Sequence, residues 1–152
     1  MANAIVLARA LGSELTLLHV LQPPAHPHPD ALDWEIARQE ARVHLEQLEQ
    51  QAAHALGRPA AVRLEQGRAA ERIVEIAREV RADLTVLGSR GEGNAVARNL
   101  GSTVQQVVAV TRGSVFVAHM APAEPPARSP QRIIVPLDGS PRTESVLPTA
   151  AR

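Results

Sequence analysis

The sequence has no cysteine, no lysine and no tyrosine, and only one phenylalanine and one tryptophan in 152 residues. Without cysteine there are no disulfides, thiol nucleophiles or cysteine-ligated metal and iron–sulfur centres. Without lysine there is no P-loop lysine and no Schiff-base or general-base lysine; all 16 basic residues are arginine. So few aromatics cannot form a platform on which bases stack. Acidic and basic residues balance at 16 each. No long-range field therefore draws in a polyanion or an anionic lipid surface, and neither nucleic acid nor membrane is an expected partner. No segment has the length and apolarity of a membrane span, and no signal peptide precedes the first helical stretch. The expectation is a soluble cytoplasmic protein with one hydrophobic core.

What is present is an alternation of short apolar runs and amphipathic stretches. Residues 1–11 read as the end of a helix, with Ile5, Ala8 and Leu7 or Leu11 on one side and Gly12 as its stop. A strand is expected next at 14–21, then a proline-rich loop whose His26 and His28 lack the third ligand a metal site needs. The pattern predicts a long helix at 30–55 buried through Ala41, Leu45, Leu48, Ala52 and Ala55, a strand at 61–65, and a helix at 69–80 buried through Ile73, Ile76, Ala77 and Val80. Strands are expected at 84–87, 114–119 and 133–137, and helices from Ser102 to about Thr111 and from Thr143 onward. Residues 120–132, rich in Pro and Ala, read as a linker. Strands alternating with helices argue an α/β fold: an open parallel sheet with helices on both faces.

The rest of the chain is organised around Asp83 to Thr103, DLTVLGSRGEGNAVARNLGST. The apolar run Leu84 to Leu87 ends at Gly88. Gly91 lies three positions on, Gly101 and Ser102 close the loop, and from Thr103 the residues Val104, Val107 and Val108 take up helical spacing. A helix start exposes N–H groups and the positive end of its dipole, and so holds anions. Glycine lets the backbone approach a ligand, and Ser102 can cap the helix or donate to a phosphate oxygen. No Asp or Glu lies between Asn94 and Thr111 to compete with an anion. The pattern fits a nucleotide-phosphate cradle, and it equally fits an ordinary strand–loop–helix turn. No catalytic constellation accompanies it. G-S-R-G at 88–91 is not a nucleophile elbow, position 96 breaks the dinucleotide fingerprint, and His19 and His119 stand at strand ends. The chain reads as a binder; at most, slow ATP hydrolysis would accompany binding.

Gly88, Gly91, Gly101 and Ser102 match without a gap the G-x2-G-x9-G-[S/T] signature of the universal stress protein family, which the chain resembles. The resemblance extends to LTLLHV at 15–20, EQGRAAERIVEIA at 65–77 and IIVPLDGSPRTESVLP at 133–148. It implies an adenine-nucleotide α-hydrolase-like fold of five parallel strands in the order 3-2-1-4-5, counting the family's strands. The segment that looks like the family's first strand stands at 133–137, after the others. The expected organisation is a domain at 1–119 lacking its first strand, a linker at 120–132, and at 133–152 a strand and helix start. That last segment completes this domain or a partner's, or opens a second one. The implied ligand is ATP or a related adenine nucleotide, with Mg²⁺ as a companion ion. Leu87, Gly88, Arg90, Gly91, Gly101, Ser102 and Thr103 would line the phosphates. Val20, Pro136, Leu137 and Asp138 would lie near the adenosine. The resemblance further implies a stress-responsive regulatory module, homodimeric through the edge strand at 114–119 or by exchange of the strand at 133–137. The alternatives are a scaffold of the same fold without a ligand, and a weak ATP hydrolase.

Overall fold

The computed structural model of the chain describes residues 1–23, 31–89, 100–118 and 134–150. In order these form α1 (Ala2–Ala10), β1 (Thr16–Leu21), α2 (Ala31–Leu56), β2 (Ala61–Gln66), α3 (Ala69–Glu79), β3 (Leu84–Gly88), α4 (Ser102–Val110), β4 (Ser114–Ala118), α5 (Pro141–Glu144) and α6 (Leu147–Ala150). β1 pairs with β2 from Thr16 opposite Ala61 to Leu21 opposite Gln66. β3 pairs with β4 from Leu84 opposite Ser114 to Gly88 opposite Ala118. Both pairs are parallel. α1 packs on α2, α3 packs on α4, and β1 meets α2 as well as α3. β1 and β2 thus each meet two helices, α2 and α3.

Local chemistry accounts for the element ends. Gly12 takes a left-handed φ of +63°, which a glycine adopts without strain. Its N–H donates to the Arg9 carbonyl at 3.3 Å, and that of Ser13 to the Ala8 carbonyl at 3.0 Å. These two bonds close α1 in a Schellman motif. α3 ends the same way without a glycine. Arg81 stands at φ +52°, and the N–H groups of Arg81 and Ala82 donate to the carbonyls of Arg78 and Ala77. α3 is also tied to β2 by charge, with Arg63 paired to Glu79 at 2.7 Å and Arg72 to Glu65.

The core follows the amphipathic pattern with small shifts. Ala41, Leu45 and Ala52 of α2 are buried, while Leu48 and Ala55 are half-buried. In α3 the buried residues are Ala70, Val74 and Ile76. The helical spacing points to Val80 instead of Val74, but Val80 is the C-cap and stands exposed. Val108 is exposed as well, since Val104 and Val107 alone carry the inward stripe of α4. Leu11, beyond the last turn of α1, is exposed too.

The larger difference concerns the sheet. Among the described residues the strands make two two-stranded sheets, β1-β2 and β3-β4, and no five-stranded order is seen. Residues 134–138 carry no strand, and Ile134 is 91% exposed. Each observed pair is closed by one crossover helix, α2 or α4. A strand arriving after β4 has to return across the sheet, and Pro136 within it offers no N–H to a ladder. The helix expected from Thr143 onward is also shorter and split, into α5 and α6.

Candidate functional site

The glycine loop begins and ends at one place. Gly88 is the last residue of β3 and Gly101 the N-cap of α4. Between them the Gly101 N–H donates to the Ser89 carbonyl at 3.0 Å, and the Ser89 N–H donates to the Ala118 carbonyl at 2.7 Å. Ser89 is buried. Strand end, loop closure and helix start are thus stitched together, and β4 is joined to them. Below the stitch, Leu87 packs against Ala70, Val74 and Val107, which fixes the angle between β3 and the helices. At the mouth, the Gln105 side-chain amide donates to the Leu100 carbonyl at 2.8 Å.

Gly101 rather than Ser102 is the N-cap, so Ser102 opens the helix without capping it. A glycine has no side chain to bond the first-turn N–H groups, which are left to meet solvent or an anion. Gly101 has φ −59° and ψ 149°. Any L-residue adopts that conformation, so the backbone does not call for glycine here. Arg90 and Gly91, both expected phosphate neighbours, lie outside the described residues.

The remaining expected residues fall in two places. Val20 is half-buried near the C-terminal end of β1, on a strand parallel to β2 and separate from the β3–β4 pair. Pro136, Leu137 and Asp138 belong to the segment outside both sheets and are exposed. Asp138 nevertheless sits in an ordered turn. Its Oδ1 accepts from the Ser140 N–H at 2.9 Å and from the Thr143 hydroxyl at 2.6 Å. Ser140 caps α5, its Oγ accepting from the Thr143 N–H at 3.3 Å. The Thr143 hydroxyl, followed by the Ser140 N–H and hydroxyl, holds the Asp138 carboxyl down to about 2. A carboxylate so anchored stays ionised and keeps its second oxygen for a sugar hydroxyl or an amino group. Sequence reasoning missed Ser89, whose backbone closes the loop. Its apolar neighbours Leu84 to Leu87 and its place directly after the strand were the available signals.

Comparison with known proteins decides what this arrangement is. The sequence model of the universal stress protein family matches residues 1–119. The chain belongs to the universal stress protein family. A universal stress protein of Thermus aquaticus is 36% identical over 106 residues, 67% of this chain and 74% of the relative. Among solved structures, the universal stress protein UspA of Lactobacillus plantarum is 27% identical and superposes with a TM-score of 0.62, covering 75% of this chain and 83% of its own. A universal stress protein in complex with cAMP is 24% identical at TM-score 0.54, over 76% of this chain and 81% of its own, a likeness of fold. Among the described residues no helix is long and apolar enough to cross a membrane, and no group of His, Asp or Glu is placed to hold a metal ion.

Proposed function

We propose that this universal stress protein domain binds an adenine nucleotide, ATP in the first instance, and acts as a nucleotide-responsive regulatory module. Gly88, Gly101, Ser102 and Thr103 would take the phosphates at the start of α4, joined by Arg90 and Gly91, while Leu87 would support the loop from beneath. Val20, Pro136, Leu137 and Asp138 would take the adenosine, the apolar side chains as a wall and the carboxylate toward its polar groups. The observation that carries this reading is Gly101, a glycine in a conformation that does not need one, at a helix start with no capping side chain. Unpaired N–H groups at a helix start suit a phosphate. The related universal stress protein bound to cAMP supports an adenine ligand. A phosphate chain bound there would carry Mg²⁺ on its oxygens. The outer edge of β4, SVFVA and free of charge, suits pairing with a second copy and supports a homodimer.

Calorimetric titration of the full chain with ATP and Mg²⁺ tests the reading, with Gly101→Val as the control. Saturable binding lost in the variant supports it. Equal binding by both, or none by the folded wild type, overturns it. One observation favours a second reading, a scaffold without ligand: residues 134–138 stand apart from the sheets whose crevice they would complete.

A further inference from the structure

The peptide that leads into α4 is bonded on both sides. On one side the Gly101 N–H donates to the Ser89 carbonyl at 3.0 Å. On the other the Leu100 carbonyl accepts from the Gln105 side-chain amide at 2.8 Å. The next carbonyl, that of Gly101, accepts from the Gln105 N–H at 3.0 Å. Gln105 thus holds two successive carbonyls, Leu100 through its side chain and Gly101 through its backbone. Ser89 is tied in turn to the Ala118 carbonyl of β4 at 2.7 Å.

The glycine explains why such a clamp is needed. Turning over the peptide between Leu100 and Gly101 carries the Gly101 φ from −59° into the positive region. A residue with a Cβ resists that rotation by itself, and glycine does not. At Gly101 the resistance has to come from bonding partners, and Gln105 is the one that supplies a side chain. Its position does not serve the core. Gln105 is exposed, while Val104 and Val107 bury the inward side of α4. Holding an exposed glutamine to one carbonyl costs side-chain entropy. What the bond fixes is the entry to the helix. With the Gly101 N–H spent on Ser89, the N–H groups of Ser102, Thr103 and Val104 are the ones left without an intrahelical partner, and no acceptor among the described residues meets them. A carbonyl turned loose beside them would set a partial negative charge against any anion they hold.

We infer that Gln105 is a positioning residue of the nucleotide site. Its side-chain amide holds the Leu100–Gly101 peptide, so that the first N–H groups of α4 are set for phosphate before the ligand arrives. This role presupposes the adenine-nucleotide binding proposed above and adds to it a residue that touches no ligand. Fixing the donors beforehand lowers the ordering cost of binding.

Gln105→Met keeps the side-chain length and a good helix former but removes the donor. Gln106→Met, at an exposed glutamine one position on, makes the same change and keeps the bond to Leu100. Two measurements on the full chain separate the clamp from the nucleotide. The first needs no ligand and follows exchange of the Gly101 amide proton by NMR. Exchange should quicken about threefold to tenfold in Gln105→Met and keep its wild-type rate in Gln106→Met. The second is calorimetric titration with ATP and Mg²⁺. Gln105→Met should weaken binding by about threefold to tenfold, the worth of one hydrogen bond, with an unchanged melting temperature. Gln106→Met should bind as the wild type does. Unchanged exchange, or faster exchange with unchanged affinity, overturns the positioning role and leaves the nucleotide reading standing. Equal weakening by Gln106→Met, or a fallen melting temperature in Gln105→Met, also overturns it, since the glutamine would then serve helix stability in general. A folded wild type that binds no ATP overturns the nucleotide reading and the positioning role together.

Discussion

The two walls proposed for the nucleotide crevice are built differently. The wall at the end of β3 is held by bonds between distant parts of the chain, Gly101 to Ser89 and Ser89 to Ala118, over a cluster that joins α3, α4 and β3. The wall at Asp138 is held by bonds that span five residues or fewer, to Ser140 and Thr143. The first exists because the domain has folded around it. The second is a self-contained turn that keeps its shape wherever the chain carries it.

The contrast predicts unequal sensitivity to core truncation. Val107 is 1% exposed beneath the first wall. Val107→Ala removes two buried carbons and leaves a small cavity, which should cost about 2–3 kcal/mol of stability. Ile134→Ala should change stability by less than about 0.5 kcal/mol, because its side chain is 91% exposed. Urea denaturation of both variants measures the difference, and equal losses would erase the distinction between the walls.

Much of the first wall was legible in the sequence. The apolar run at 84–87 and the helical spacing of Val104 and Val107 each signal one local event, and both occur where expected, while Val108 is exposed and Gly91 lies outside the described residues. Leu45 and Ala52 of α2 were readable for the same reason, as periodicity survives any tertiary arrangement that buries one face. What periodicity does not carry is how strands are ordered. IIVPL reads as a strand because it is apolar and short. Whether it becomes one depends on edges elsewhere and on the linker that delivers it. Val80 shows the same limit on a smaller scale, since it fits the expected stripe of α3 yet stands exposed as the C-cap, where the helix ends before Arg81. The Asp138 turn was half legible. Asp138 was singled out only as a neighbour of the adenosine, and the structure adds its turn, with Ser140 capping α5 and Asp138 binding the Thr143 hydroxyl.

A sharper test of the first wall is steric. Gly101 has an extended backbone, so Gly101→Val should fold with a melting temperature close to that of the wild type. A branched side chain at the helix start should nonetheless weaken ATP binding by tenfold or more, about 1.4 kcal/mol. A large drop in melting temperature would mean that the glycine makes room for protein rather than ligand.

His19 tests β1, the strand that carries Val20. Burial, and then the nearby His44, lower its pKa below the ordinary 6.5. The folded state therefore binds this proton less readily than the unfolded one. Its contribution leaves stability intact above about pH 6.5 and reduces it as the pH falls below that value. Melting temperatures at pH 7.5 and 5.5 should differ less in His19→Gln than in the wild type. An equal difference would place the acid sensitivity elsewhere.

The smallest effect belongs to the second wall, and it measures how self-contained that wall is. The Asp138 carboxyl titrates at about 2 in place of 3.8, chiefly through the Thr143 hydroxyl. A carboxyl whose folded pKa is lowered supports its turn above the ordinary value, and that support is lost as the pH falls from about 3.8 toward 2. Carbon-detected NMR should find the midpoint near 2, and Thr143→Val should move it back toward 3.8. Val135→Pro should leave it where it is, because the bonds that hold the carboxylate lie within residues 138–143. A midpoint that moves with the Val135 substitution would show the turn to be shaped by the strand before it. The two walls would then differ in position alone and not in how they are made.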